Sequence, residues 1–354
     1  MSDRTNPLLG TSASRRQILR GAGVGVATLA FGSALSACGG GSDSSSGGKT
    51  KMAYQLEWLK ITQFAGFFAA QENGYYAKNG VAPTINAGGP NISASQLVAA
   101  GRANLGDDDN ITLLQGIAKG LPLVMFATVF QKTPYSCISK ASKPIHTLQD
   151  MVGKTVAISA AGKAQLAPAL QNAGVDPSKV DIITAGADPT QLVTGQADGY
   201  FGFSTDQGVS LEQKGVDVVF ASATDLGFGG YADCLFATKD KIDKDKDNLV
   251  NFLRGTIMGY EWSNANPAQA AGLVVNKYGP KGQDLALQTE VAKKQVSLIE
   301  SPKGVMWLDT AQMQKIIDDQ VAIKVITKPM KAEDVMTTSI LEAAYGGKTS
   351  LLNS

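Results

Sequence analysis

The chain is poor in the residues from which most enzymatic chemistry is assembled. Its 354 residues include a single histidine, His146, and three cysteines. No Gly-x-Ser-x-Gly run and no paired-cysteine metal spacing occurs, so a Ser/His hydrolase or a multi-histidine zinc centre lacks its parts. Net charge is also missing. Lys and Arg number 32 against 31 Asp and Glu, and removing residues 1–37 takes away Arg4, Arg15, Arg16, Arg20 and Asp3, leaving 28 basic against 30 acidic residues. So balanced a chain presents no general basic surface, and nucleic acid is not an expected partner. Long apolar runs are absent too: the run at 24–31 is too short to span a bilayer as a helix.

Two motifs fail on inspection. Gly-Lys-Thr occurs at Gly48, Gly153 and Gly347, but the glycine a phosphate loop needs five residues earlier is Asp43, Leu148 and Glu342. Asp243, Asp245 and Asp247 imitate the start of a calcium loop, yet Asn248 replaces its glycine and Arg254 its closing glutamate. No metal and no cofactor is expected.

The N-terminus reads as an address. Arg15-Arg16 precede the apolar run, which ends in Leu35-Ser36-Ala37-Cys38. The pattern resembles a twin-arginine export signal joined to a lipobox, with Ile18 where Phe is common and Arg20 where Lys is common, so general secretion stays open. Residues 1–37 are the expected signal peptide. Cys38 is the expected lipidation site, with 38–51 a Gly/Ser-rich tether. Cys137 and Cys234 then remain, expected close together on adjacent strands of a second lobe; a disulfide and two buried thiols both stay open.

Beyond the tether, strand and helix signals alternate. Strands are expected at 54–58, 81–86, 104–107 and 121–129, with helices at 64–78, 93–100 and 110–118 between them. A second series follows Lys132-Thr133-Pro134: strands at 135–140, 154–159, 179–184, 199–203 and 216–221, with intervening helices. The order implies an α/β fold of two similar doubly wound lobes with largely parallel pairing and a ligand cleft between them. Gln96-Leu97-Val98 leading to Gly101 is echoed by Gln191-Leu192-Val193 leading to Gly195, each a helix closed by glycine before a strand. The lobes are expected at 52–134 plus 239–354 and at 135–238, with C-terminal helices at 247–262, 285–297, 310–320 and 331–345.

In such sheets ligands bind beyond the carboxyl ends of the strands. Glu57, Trp58 and Gln63 follow the first strand; Asn91, Asp109, Tyr135, Ala161, Gly162, Phe203, Asp206, Asp225 and Tyr231 occupy comparable positions. Trp58, Tyr135, Phe203 and Tyr231 offer ring faces, and Trp58 has core packing as its alternative. Asp109 and Asp206 equally suit helix capping. Helix N-termini at Asn91 and at Ala161-Gly162 offer backbone NH groups for an anion.

Glu57-Trp58, Phe64-Ala65-Gly66, residues 74–80 (GYYAKNG), Gly88-Gly89-Pro90, Gly101-x-Ala103-Asn104, Phe252-Leu253-Arg254 and Asn266-Pro267-x-x-Ala270 stand in this order. Together they resemble the substrate-binding proteins of ABC importers for nitrate, taurine, sulfonates and thiamine pyrimidine precursors, over residues 52–330. The resemblance implies a type II periplasmic-binding-protein fold; a monomer is expected, held by the lipid anchor at Cys38 on the extracytoplasmic face. Its partners would be a small-molecule ligand and the permease and ATPase subunits. The family also contains a thiamine-pyrimidine synthase that consumes its own histidine and carries a cysteine-rich motif; here Gln63-Phe64 stands near the aromatic loop and no cysteine cluster exists. The expected role is therefore binding, not catalysis. With several acidic residues at strand ends, a planar heterocycle such as an aminopyrimidine is favoured over a small anion, with an exported enzyme or sensory lipoprotein as rivals.

Overall fold

Ten strands form among the described residues, which are 48–352 with the exception of 187 in this computed structural model. The expected signal and Cys38 lie outside them. The strands are β1 Thr50–Gln55, β2 Val81–Asn86, β3 Leu105–Asp108, β4 Leu123–Phe130, β5 Tyr135–Lys140, β6 Thr155–Ile158, β7 Asp181–Thr184, β8 Gly199–Phe203, β9 Val218–Ser222 and β10 Ala232–Thr238. They make two five-stranded sheets, in the orders β2-β1-β3-β10-β4 and β7-β6-β8-β5-β9.

Both sheets follow one plan. β1 lies parallel to β2 and β3, and β6 parallel to β7 and β8. The fourth place in each is taken by an antiparallel strand, β10 in the first sheet and β5 in the second. Two expectations are corrected here. The pairing is mixed, and β10, assigned to the second lobe within 135–238, pairs with β3 and β4 of the first. The reason is geometric: a chain arriving from the opposite lobe enters its new sheet at the cleft end and must run away from it, against its neighbours. The crossings are residues 131–134 and 223–231. Cys137 and Cys234 therefore sit in different sheets, not on adjacent strands, and both are buried free thiols.

The first lobe is built on an aromatic core. Tyr54 of β1 packs 4.7 Å from Phe67 and 5.3 Å from Phe252, which also stacks on Tyr76 at 5.3 Å and on Phe67 at 6.5 Å between centroids. Each fully buried side chain of this size contributes on the order of 1.5–3 kcal/mol. Phe67 lies on the helix Ala65–Glu72 and Phe252 on the helix Lys246–Ala265. These helices approach closely because of two glycines: a Cβ on Gly259 would fall 2.1 Å from the Gly66 carbonyl, and one on Gly66 would fall 2.4 Å from the Tyr260 ring. The helix expected across 64–78 breaks at Gly74, whose φ of 71° is left-handed, and restarts as Tyr75–Lys78. Another break divides the last expected helix into Ala332–Val335 and Ser339–Tyr345, because Met336 turns extended to bridge Met125 of β4. Among the described residues no helix is long and apolar enough to cross a membrane.

Candidate functional site

Three chain segments meet at the cleft end of the first sheet. After β1 the chain runs through Leu56, Glu57 and Trp58. β3 closes in Asp107 and Asp108, followed by Asp109. β10 begins beside them, with Cys234 opposite Asp108, which places Asp233 at the same end. Glu57, Asp107 and Asp233 thus each bring a carboxylate oxygen within 4.8 Å of the others. Asp107 and Asp233 are wholly buried and Glu57 half-buried. Asp233 adopts a left-handed φ of 54°, a conformation that typically costs about 1–3 kcal/mol and is sustained only by its surroundings.

Hydrogen bonds explain part of this arrangement. Gln63 Nε2 donates to both Asp233 oxygens, at 2.8 and 2.9 Å, and reaches Glu57 at 3.5 Å. The Glu57 backbone NH donates to Asp107 at 3.4 Å. Gln63 is held in turn, because its turn, Thr62–Phe64, is tied to the helix Leu285–Ile299: Thr62 Oγ1 donates to Gln288, and Gln295 donates to the Thr62 carbonyl at 3.2 Å. Asp109 caps the helix Asn110–Ala118, accepting from the Ile111 NH at 2.8 Å.

No cation balances these acids: the ion pairs among the described residues all lie elsewhere. Burial first, and then the negative charge of Asp233 and Asp108, raises the Glu57 pKa well above the carboxylate range. Asp107 is raised by burial and then by Glu57, and Asp233 by burial and then by Asp107. Asp108 is pushed up to about 7 by burial and Asp109, against hydrogen bonds from the Asp109 NH and Ser95. Burial lifts Asp109 to about 6. A Glu57–Asp233 hydrogen bond adds to the rise at Glu57 and opposes it at Asp233. Such a cluster retains protons near neutrality, welcomes a cation or a hydrogen-bond donor, and opposes an anion.

The second lobe brings rings to its boundary with the first. Phe203, ending β8, lies 6.0 Å from Phe130 of the first lobe and 6.3 Å from Tyr135, both edge to face. A Cβ on Gly162 would fall 2.7 Å from the Tyr135 hydroxyl, so glycine is what lets that ring reach the helix Ala160–Asn172. The Gly162 NH is already bonded to its cap, Ser159 Oγ, at 3.1 Å. Ala161 lies in the same first turn. Asp206, in the π-helical turn Ser204–Gly208 after Phe203, is raised to about 6 by burial.

Glu57, Gln63 and Asp109 are thus brought together in the first lobe, and Tyr135, Gly162, Phe203 and Asp206 in the second. Three expected residues are not. Asn91 is exposed beside the helix Ala94–Ala99, which Ser93 caps. Asp225 closes an exposed turn, accepting from Ser222 Oγ at 2.7 Å. Tyr231 is buried in the first-lobe core, its hydroxyl accepting from the Asp309 NH at 3.1 Å. Trp58 is half-buried against that core, its carbonyl accepting from the Gly88 NH at 2.7 Å. Asp107, Asp108, Asn110 and Asp233 join the site without having been expected from the sequence. The run of three aspartates at a strand end was the available signal for the first two. Asn110, wholly buried with neither side-chain atom hydrogen-bonded in the structure, has no comparable signature.

A family described as NMT1/THI5 like matches residues 61–270. The formylaminopyrimidine-binding protein of Halalkalibacterium halodurans is 23% identical over 291 residues, 80% of this chain and 88% of its own length. A 4-amino-5-hydroxymethyl-2-methylpyrimidine phosphate synthase of Legionella pneumophila is 26% identical over 233 residues, 64% of this chain and 73% of its own. Among solved structures, the periplasmic aliphatic sulphonate binding protein SsuA of Escherichia coli superposes with a TM-score of 0.59 at 16% identity, covering 81% of this chain and 91% of that one. The fold is that of the periplasmic binding proteins.

Proposed function

This chain belongs to the NMT1/THI5-like family, and from that premise we propose that it is an extracytoplasmic solute receptor that closes on a planar aminopyrimidine-like heterocycle and presents it to an ABC permease and its ATPase. One observation carries the reading: the cleft gathers Glu57, Asp107, Asp108, Asp109 and Asp233 without a balancing cation. An aminopyrimidine carries exocyclic NH donors beside a ring nitrogen. A carboxyl sharing a proton with its neighbour can accept from the first and donate to the second, a two-point match that fixes ring orientation. Tyr135 and Phe203 provide apolar area for the ring. The relative named for formylaminopyrimidine binding supports this choice. A sulfonate or nitrate would have to sit among carboxylates, which speaks against the anion alternative.

Some relatives are named as synthases, so catalysis is the rival reading. His146, the only histidine, argues against a histidine-consuming reaction. It is exposed in the loop after Lys140, while the cleft end of β5 is Tyr135, paired with Phe203.

Calorimetric titration of the purified protein with 4-amino-2-methylpyrimidine derivatives, taurine and nitrate tests the assignment. Saturable binding of the aminopyrimidines alone is expected; binding of the anions alone would overturn it. Anchoring rests on Leu35-Ser36-Ala37-Cys38. Cys38→Ala is expected to abolish fatty-acyl labelling and membrane fractionation, and retained acylation would reject Cys38.

A further inference from the structure

The helix Leu285–Ile299 packs in the first lobe, against the helices Lys246–Ala265 and Pro267–Leu273, yet it also touches the second. Its buried side is fixed. Gln288 and Gln295, 6% and 4% exposed, hold both sides of Thr62, next to the Gln63 that binds Asp233. On its outer side Lys294 Nζ donates to Glu212 Oε2 at 2.5 Å. Glu212 lies on the second-lobe helix Val209–Gln213, where its neighbour Leu211 is wholly buried. The same first-lobe helix packs against the π-helical turn that follows Phe203. Among the described residues, Lys294–Glu212 is the one ion pair that joins the lobes.

We propose that the helix Leu285–Ile299 is a closing strap: bound to the Thr62–Gln63 turn on its inner side, it holds the second lobe against the first through Lys294–Glu212 and biases the open–closed balance before any ligand enters. Both charged side chains are partly exposed, 44% and 40%, so their pairing is modest in free energy. The open–closed balance it acts on is one between two populated conformations, so a small bias is visible in populations. The inference rests on the two-lobe receptor reading but not on which ligand is bound.

Its test uses unliganded protein. Fluorophores are attached to Lys119→Cys and Lys179→Cys, exposed positions on the first and second lobes, in a Cys38→Ser background, while the buried Cys137 and Cys234 stay unlabelled. Lys294→Glu is expected to raise the open-to-closed ratio about fivefold, read as energy transfer shifted to longer distance. Glu212→Lys should do the same, and the double reversal should restore the original distribution. An unchanged distribution in Lys294→Glu, or a double variant as open as the singles, would overturn the strap. Because no ligand is present, failure of the aminopyrimidine titration leaves this outcome unaffected.

Discussion

Raising the pH from 5 to 8 should destabilise the unliganded protein, an unusual direction that follows from the acidic cluster. Asp108 titrates at about 7 in the fold against an ordinary 3.8. A raised carboxyl pKa means that the folded state holds a proton the unfolded chain has released. Stability is therefore greatest below the unfolded value and declines until the folded value is passed. Three units at 1.36 kcal/mol each set a ceiling of about 4 kcal/mol for this residue, of which roughly 2 kcal/mol falls between pH 5 and 7. Glu57, Asp107 and Asp233, raised by burial and by one another, act in the same sense. Carboxylates lowered by their hydrogen bonds, such as Glu72, Asp150 and Asp309, act in the opposite sense but mainly below pH 5, and add little slope within this range. Urea unfolding followed by far-UV circular dichroism at pH 5, 6, 7 and 8 measures the effect. Asp108→Asn should flatten part of the decline, gaining at pH 8 despite losing charge-assisted bonds from Ser95 and the Asp109 NH. Equal or greater stability of the wild type at pH 8 than at pH 5, or an unaltered slope in Asp108→Asn, would show that the cluster does not hold protons in the fold. A cationic ligand should protect most strongly at pH 8.

Other perturbations separate the elements of the site. Gln63→Glu replaces the donor to Asp233 with a further acid and should steepen the decline in stability between pH 5 and 8, seen in the same urea series. Trp58→Ala should weaken ligand binding several-fold by calorimetry with the circular dichroism spectrum unchanged; unaltered affinity would assign Trp58 to the core alone. Gly259→Ala forces a Cβ to within 2.1 Å of the Gly66 carbonyl and should lower stability by about 1–3 kcal/mol in chemical denaturation.

Much of this architecture was legible in the sequence because local pattern produces it. β2, β5 and β8 fall on the residues where apolar alternation placed them, and glycine closes the Gln191 helix at Gly195, whose φ is 78°. β1 runs Thr50–Gln55, earlier than the alternation through Trp58 suggested, so Trp58 lies in the loop and not at the strand's end. What remained hidden is non-local. Nothing in ADCLFAT declares that β10 inserts between β3 and β4, and without that pairing Asp233 cannot be placed beside Glu57. Cys234 was misplaced for the same reason. Glu57, Gln63 and Asp109 were recoverable because they follow strand ends in sequence. The charge state of the cluster was not, because it depends on side chains brought together from three segments.

The place of β10 also orders events during synthesis. Among the described residues β4, with the largely buried sequence LVMFATVF, is an edge strand that pairs with β10. Some hundred residues separate the two, and between them lies every strand of the second sheet. A chain emerging from the ribosome can thus finish the second lobe first, while β4 waits with both hydrogen-bonding edges open. Until β10 arrives, that strand is the segment most exposed to wrong pairing, and a bound chaperone would find its apolar recognition element there.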